Sequence, residues 1–254
     1  EVTELMKKAG YATSNLESVK LISSNVFSGT NIKSINLTGV VYIGKSAFSS
    51  CPYITEVTVP ETVEYLGTGV FANSGLKTLD LDCSLVKVPD SLCSKTKVSQ
   101  ITLKDLSSLK EIGKNAFEGT PLTSLPFADA PSLQLIGDSA FKGCTQIKSL
   151  TIPDAVIRVN QSAFSGCTSL TDITLPSSVK TIGESAFSGC TQLKSFTAPQ
   201  SLEVIGSKAF YNCKQMLDAT LDTAKSLTEI GASAFENCTV LGKVAVPDSV
   251  ATVG

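Results

Sequence analysis

The side chains of this chain with chemistry to offer are eight cysteines and a scatter of carboxylates, for it has no histidine and no tryptophan. The commonest general base and the commonest neutral metal ligand are therefore missing. Cys51, Cys144, Cys167, Cys190, Cys213 and Cys238 each follow a phenylalanine by three residues. A metal site would need Cys-x-x-Cys clustering or histidine partners, and neither is present. Disulfides between neighbouring members of the series would need the right Cβ geometry at every step. The thiols instead travel with one turn length. Where Cys follows Phe, the next apolar segment starts six residues after the Phe; where Thr30, Ser74 or Thr120 takes its place, it starts five residues on. That pairing favours a small buried hydrophobe filling a slot in the longer turn. Cys93 stands in a phenylalanine slot, with Leu92 in the alanine slot before it, an exchange of size within the core. Cys83 falls just after an extended segment and is the thiol expected to be most exposed.

The phenylalanines set the frame. Phe27, Phe48, Phe71, Phe117, Phe141, Phe164, Phe187, Phe210 and Phe235 follow alanine or valine in steps mostly of 23 residues, with one double step from Phe71 to Phe117. A period of this length marks a solenoid, in which one coil cannot bury its apolar face until the next stacks on it. The same repeat runs from about residue 20 to residue 254, which predicts a single elongated domain over 20–254 and an N-terminal cap or partial repeat over 1–19. Val2, Leu5 and Met6 have the helical spacing that a capping turn needs. Val253-Gly254 stops in the middle of a repeat, as in a trimmed chain or one that continues.

One coil can be read from Leu170 to Cys190. Ile173 and Leu175 alternate with Asp172 and Thr174, the period of a half-buried strand. Nine equivalent segments, among them Ile32 to Leu37, Ile54 to Val59, Leu122 to Phe127 and Leu241 to Val246, predict a first ladder of ten parallel strands in register. Proline follows at Pro60, Pro153, Pro176, Pro199 and Pro247, ending the ladder because it cannot donate a backbone hydrogen bond. A second short apolar segment then ends in Ile-Gly or Leu-Gly, as at Gly44, Gly67, Gly113, Gly137, Gly183, Gly206 and Gly231. Asn160 takes this place once, which predicts a left-handed backbone there. Ser23 and Pro89 also depart from it, so the outer turns of their coils should differ. The residues leading into Ala-Phe predict a capped single helical or 3₁₀ turn that points the ring inward. Ten coils at the strand spacing of about 4.8 Å make a rod or arc on the order of 50 Å long.

Charged residues are 17% of the chain and its net charge is −2, so it has no basic nucleic-acid footprint. No apolar run is long enough to span a bilayer, and the opening Glu1-Val-Thr-Glu-Leu is no signal peptide; if the protein is exported, its signal lies outside this chain. On the solvent face of the first ladder the side chains are mostly Ser and Thr, which suit a solvated sheet. The functional reading of the same face is a broad, shallow protein-binding surface of the kind solenoids offer, with Glu56, Asp80, Asp172 and Asp218 as an acidic stripe. A glycosidase would need two carboxyls about 5–10 Å apart across a cleft. Asp172 and Asp218 are two coils, ~10 Å, apart on a face expected to be flat, so no enzyme is predicted. Just before each Ile-Gly a further column points outward, and there Tyr42 and Tyr65 fall on adjacent coils as the nearest approach to a contact hot spot. Strands also favour Tyr for packing alone. With Tyr53 nearby in sequence, stacking on sugar rings is the further use. Asn36-Leu-Thr38, Asn160-Gln-Ser162 and Asn237-Cys-Thr239 fit the N-glycosylation pattern, which matters only in a eukaryote.

The consensus Ile-Gly-x-x-Ala-Phe-x-x-Cys-x-x-Leu-x-x-Ile/Leu-x-Leu-Pro-x-x-Val resembles the BspA-like leucine-rich repeats of bacterial and protozoan surface proteins. Residues 136–153, 159–176, 182–199 and 205–213 match it almost position by position. The resemblance implies a leucine-rich-repeat arc at the cell surface or secreted, an adhesive or protein-binding role with an extracellular protein as ligand, and no catalysis; the residues themselves suggest no cofactor or metal. It implies no defined binding residues. The alternatives are a structural spacer within a larger surface protein and a glycan-binding module.

Overall fold

The computed structural model describes residues 19–254, so the cap expected over 1–19 lies outside the described residues except for Val19. The first coils run β1 (Leu21–Ile22), β2 (Tyr42–Ile43), β3 (Glu56–Val59), β4 (Tyr65–Leu66), β5 (Thr78–Leu81) and β6 (Lys87–Val88). The middle coils add β7 (Gln100–Leu103), β8 (Glu111–Ile112), β9 (Leu135–Ile136), β10 (Ser149–Thr151), β11 (Arg158–Val159) and β12 (Asp172–Thr174). The last coils hold β13 (Thr181–Ile182), β14 (Ser195–Thr197), β15 (Val204–Ile205), β16 (Asp218–Thr220), β17 (Glu229–Ile230), β18 (Lys243–Ala245) and β19 (Thr252–Val253). Every pairing among them is parallel. The chain is a solenoid of parallel strands, with no helix among the described residues.

The second ladder is the more continuous. Its two-residue strands form the sheets β1-β2-β4 and β6-β8-β9-β11-β13-β15-β17-β19. The first ladder is cut into β3-β5-β7, β10-β12 and β14-β16-β18, so the expected ten strands become eight. Ile32 to Leu37 keeps only an isolated bridge at Ile35. There the Asn36 carboxamide oxygen accepts from the Thr38 amide at 3.0 Å and from its hydroxyl at 2.7 Å, a local turn that competes with the ladder. Leu122 to Phe127 forms no strand. Pro126 has no amide to donate, and the Phe127 ring turns into the core, 5.6 Å from Phe117 and 5.7 Å from Phe141.

The phenylalanine column is as the period predicts. Phe141, Phe164, Phe187, Phe210 and Phe235 stack in sequence with centroids 5.3, 5.6, 5.5 and 5.3 Å apart. Between Phe71 and Phe117 the column is bridged by Leu92 and Cys93, both fully buried.

The turn that carries each ring is not helical or 3₁₀. In every coil the residues two before and two after the column position have positive φ, as in Ser162 (φ 55°) and Gly166 (φ 74°) around Phe164. Between these two left-handed residues successive amides point in opposite directions. The Phe164 amide donates to Ala186 of the next coil at 2.9 Å, whereas the Ser165 amide turns back to Ser162 at 3.1 Å. Ser, Asn, Gly and, at Lys95 and Lys208, Lys hold these places, of which Gly and Asn tolerate left-handed backbone best.

The glycine of Ile-Gly, and Asn160 in its place, are not left-handed, contrary to the sequence expectation. Here glycine answers a close approach. A Cβ on Gly67 would lie 2.5 Å from the Lys45 nitrogen, and one on Gly183 would lie 2.8 Å from the Asn160 carbonyl carbon. These glycines also donate to the coil before, Gly67 to Ile43 at 2.8 Å and Gly183 to Val159 at 2.7 Å. Asn160 keeps the register of β11 on β9, yet its amide makes no backbone hydrogen bond among the described residues.

Candidate functional site

Because β1, β2 and β4 pair in register, Leu21, Tyr42 and Tyr65 stand in one outward file. The Tyr42 and Tyr65 rings stack at 4.5 Å with planes 7° apart. Leu21 is 57% and Tyr65 49% exposed, while Tyr42 is half-buried between them. Tyr53 is also exposed, but its ring contacts neither of the others.

The file ends where the second ladder breaks, between β4 and β6. Pro89 occupies the glycine place of this coil and fails it twice, having no amide to donate to Leu66 and carrying a Cβ where the backbone of the coil before is closest. Among the described residues no hydrogen bond reaches the carbonyls of Glu64 or Leu66, although the equivalent Val41 and Ile43 carbonyls accept from Tyr65 at 3.3 Å and Gly67 at 2.8 Å. The coils stay joined on either side of the opening. Thr58 faces Asp80 across β3 and β5, and the Phe71 amide reaches Leu92 at 3.0 Å. The result is a cavity of about 390 Å³ lined by Glu64, Tyr65, Leu66, Val86, Lys87 and Asp90 among others. Lys87 is tied to Asp90 at 3.1 Å and Glu111 at 2.7 Å, and Val86 is 60% exposed. The Pro89 departure was visible in the sequence; its consequence for the neighbouring coil was not.

The acidic stripe is divided. Glu56 lies opposite Thr78, and Asp80 opposite Thr58 and Thr102, so both belong to the face of β3-β5-β7. That face is not featureless. A cavity of about 410 Å³ is lined by Glu56, Thr58, Thr78 and Asp80 among others, and one of about 450 Å³ by Thr78, Asp80, Gln100 and Thr102 among others. Asp172 pairs across from Ser149 in β10-β12, and Asp218 stands between Ser195 and Lys243 in β14-β16-β18. The structure thus brings Glu56 and Asp80 together and leaves Asp172 and Asp218 each in a separate sheet.

All eight thiols are free, and Cys83, expected at the surface, is buried; Cys238 is the partly exposed one. Cys83 sits two residues beyond the inward Leu81, so the strand alternation carries it inward as well. The thiol column has a function in packing that its spacing did not reveal. Each Sγ donates to the carbonyl of the phenylalanine one coil back, as from Cys144 to Phe117 at 3.1 Å, Cys190 to Phe164 at 3.3 Å and Cys213 to Phe187 at 3.3 Å. Thr30 and Thr120 donate instead to the phenylalanine of their own coil, at 2.7 and 2.8 Å. Burial pushes the Cys83 and Cys144 thiols up to about 11 and Cys190 to about 12. Cys213 is raised by the neighbouring Cys238 thiol and by burial, and Cys238 is lowered by the same neighbour. Protonated thiols inside a core are poor nucleophiles and poor metal ligands. Among the described residues no three His, Cys, Asp or Glu side chains are arranged to hold a metal ion.

What this geometry offers is surface recognition: an aromatic file, an opening beside it and a polar sheet face. Residues 20–148 and 134–254 match the family model for the BspA type leucine-rich repeat region, in six copies. A leucine-rich repeat protein from Bacteroides ovatus is 30% identical over 89% of this chain and 70% of its own, with a TM-score of 0.58. A leucine-rich cell surface protein from Faecalibacterium prausnitzii shares the fold at 24% identity and a TM-score of 0.50, over 89% of this chain and 76% of its own. No curated protein gives a significant match.

Proposed function

The chain belongs to the BspA-type leucine-rich-repeat family, and from that membership we propose that it is a non-catalytic protein-binding domain displayed on the cell surface or secreted, with residues 20–254 acting as one unit. The observation that carries the reading is the Tyr42–Tyr65 stack, held in register on the outer face with Tyr65 half exposed. Large rigid aromatics at an exposed position give contact area at little cost in conformational entropy and dominate many protein interfaces. Glu56 and Asp80, on the concavities of β3-β5-β7, are the proposed polar contacts, with Asp172 and Asp218 as separate further contacts on β10-β12 and β14-β16-β18. No helix of the described residues is long and apolar enough to cross a membrane.

The test is retention of the purified chain on a panel of immobilised extracellular proteins, with Tyr42→Ala/Tyr65→Ala beside the wild type. The reading expects retention by at least one protein and its loss in the double variant while both remain folded. A chain retained by nothing on the panel would favour a spacer, and one retained only on a glycan array would favour sugar recognition.

A further inference from the structure

We propose that the opening between β4 and β6 is a docking slot for an arginine side chain on an extended segment of the partner protein, an inference that rests on the protein-binding reading above. Three features of the slot choose this occupant.

One is the ring. Tyr42 covers one face of Tyr65, and the Tyr65 side chain lines the cavity without a second ring partner among the described residues. A flat group can stack there. Another is the backbone. The Glu64 and Leu66 carbonyls, which in neighbouring coils receive amide hydrogens, accept nothing from the described residues. A group that fills the slot must bring donors. The last is charge. An adjoining cavity of about 420 Å³ shares Glu64 and Ser84 with the slot and is lined further by Glu61, Val63, Asp82, Asp105 and one lysine, Lys104. Hydrogen bonds from Ser107 and Ser84 hold the Asp105 carboxyl below its usual range, and the Lys87 cation is already matched by Asp90 and Glu111. The rim therefore favours a cation.

A planar cation with donors only is a guanidinium, which stacks on aromatic faces and spreads its donors in a fork. A lysine has the charge without the plane, and a sugar ring has neither charge nor a purely donating edge. The one arginine of this sequence, Arg158, lies in β11, well along the second ladder from the slot. Exposed Val86 on the far wall gives the arginine stem an apolar contact.

The experiment titrates the full chain with acetyl-Gly-Arg-Gly-amide, following the Tyr65 and Val86 resonances by NMR. Acetyl-Gly-Lys-Gly-amide and diacetylchitobiose are run in parallel. The arginine peptide should shift both residues, with the lysine peptide about tenfold weaker and the sugar silent. Tyr65→Ala should lower the affinity by tenfold or more at unchanged fold. Pro89→Gly restores the missing amide and removes the Cβ; it should close β6 onto β4, protect the new amide from exchange and abolish binding. Equal binding of the lysine peptide, occupation by the sugar, or arginine binding that survives both substitutions would overturn the slot. Failure of the peptide in a chain that still adheres to its protein ligand overturns this inference alone; failure of both assays overturns the protein-binding reading with it.

Discussion

Tyr42 and Tyr65 lie ring on ring at 4.5 Å because their strands pair in register one coil apart. Their contact is a stabilising pair as well as a surface. A double-mutant cycle with alanine should give a coupling of about 0.5–1.5 kcal/mol. For a chain of this size that lowers Tm by only about 2–4 °C per kcal/mol. Adhesion should instead be lost outright. A loss of adhesion that tracked a collapse in Tm would make the pair structural and nothing more.

The phenylalanine column predicts a position-dependent cost. Phe164 is fully buried between Phe141 and Phe187, at 5.3 and 5.6 Å, so Phe164→Ala leaves a cavity its neighbours cannot close. The expected loss is about 3–5 kcal/mol by urea denaturation. Phe235 has a ring on one side and is partly exposed, so Phe235→Ala should cost visibly less. Equal losses would mean that the column does not carry the core.

The glycines separate into two kinds that one residue name hides. Gly166 has φ 74° and a Cβ there would make only ordinary contacts, 3.7 Å from the Gly143 backbone, and the same place holds Ser50, Asn73 and Lys95 in other coils. Gly166→Asn should therefore be close to neutral. Gly183 has ordinary φ, but a Cβ there meets Asn160 at 2.8 Å, so Gly183→Ala should cost about 1–3 kcal/mol by overpacking. Thermal denaturation of the two variants decides it, and the reverse order would restore the left-handed reading of Ile-Gly.

What was legible in the sequence is what repeats in side-chain type. The spacing of Phe, the Ile-Gly steps and the alternation around Ile173 fixed the coil and the inward files. The left-handed residues two places either side of Phe164 were not legible, because Ser, Asn, Lys and Gly share those positions and no single residue type marks them. The breaks were half legible. Pro126 and Pro89 announce a missing donor, but that the Tyr65 edge is left open depends on the neighbouring coil. Of the site residues, register joined Tyr42 to Tyr65 as the spacing implied, whereas the acidic stripe presumed a first ladder without interruption.

The thiols supply a last expectation, one of order. Reaction with a disulfide reagent needs thiolate and access. Cys190 has neither, since burial lifts its pKa to about 12 and its Sγ is spent on the Phe164 carbonyl at 3.3 Å. Raising the pH from 7 to 9 leaves such a group protonated, so it should stay silent until the coil opens. Cys238 is partly exposed and its pKa is lowered beside Cys213, so its thiolate gains population over the same interval. Native chain at pH 8 should thus label first at Cys238, and the other column thiols should follow only at the rate of unfolding. Peptide mapping after timed labelling reads the order directly. Early modification of Cys167 or Cys190 in folded chain would show that the column is not closed by the packing of coil on coil.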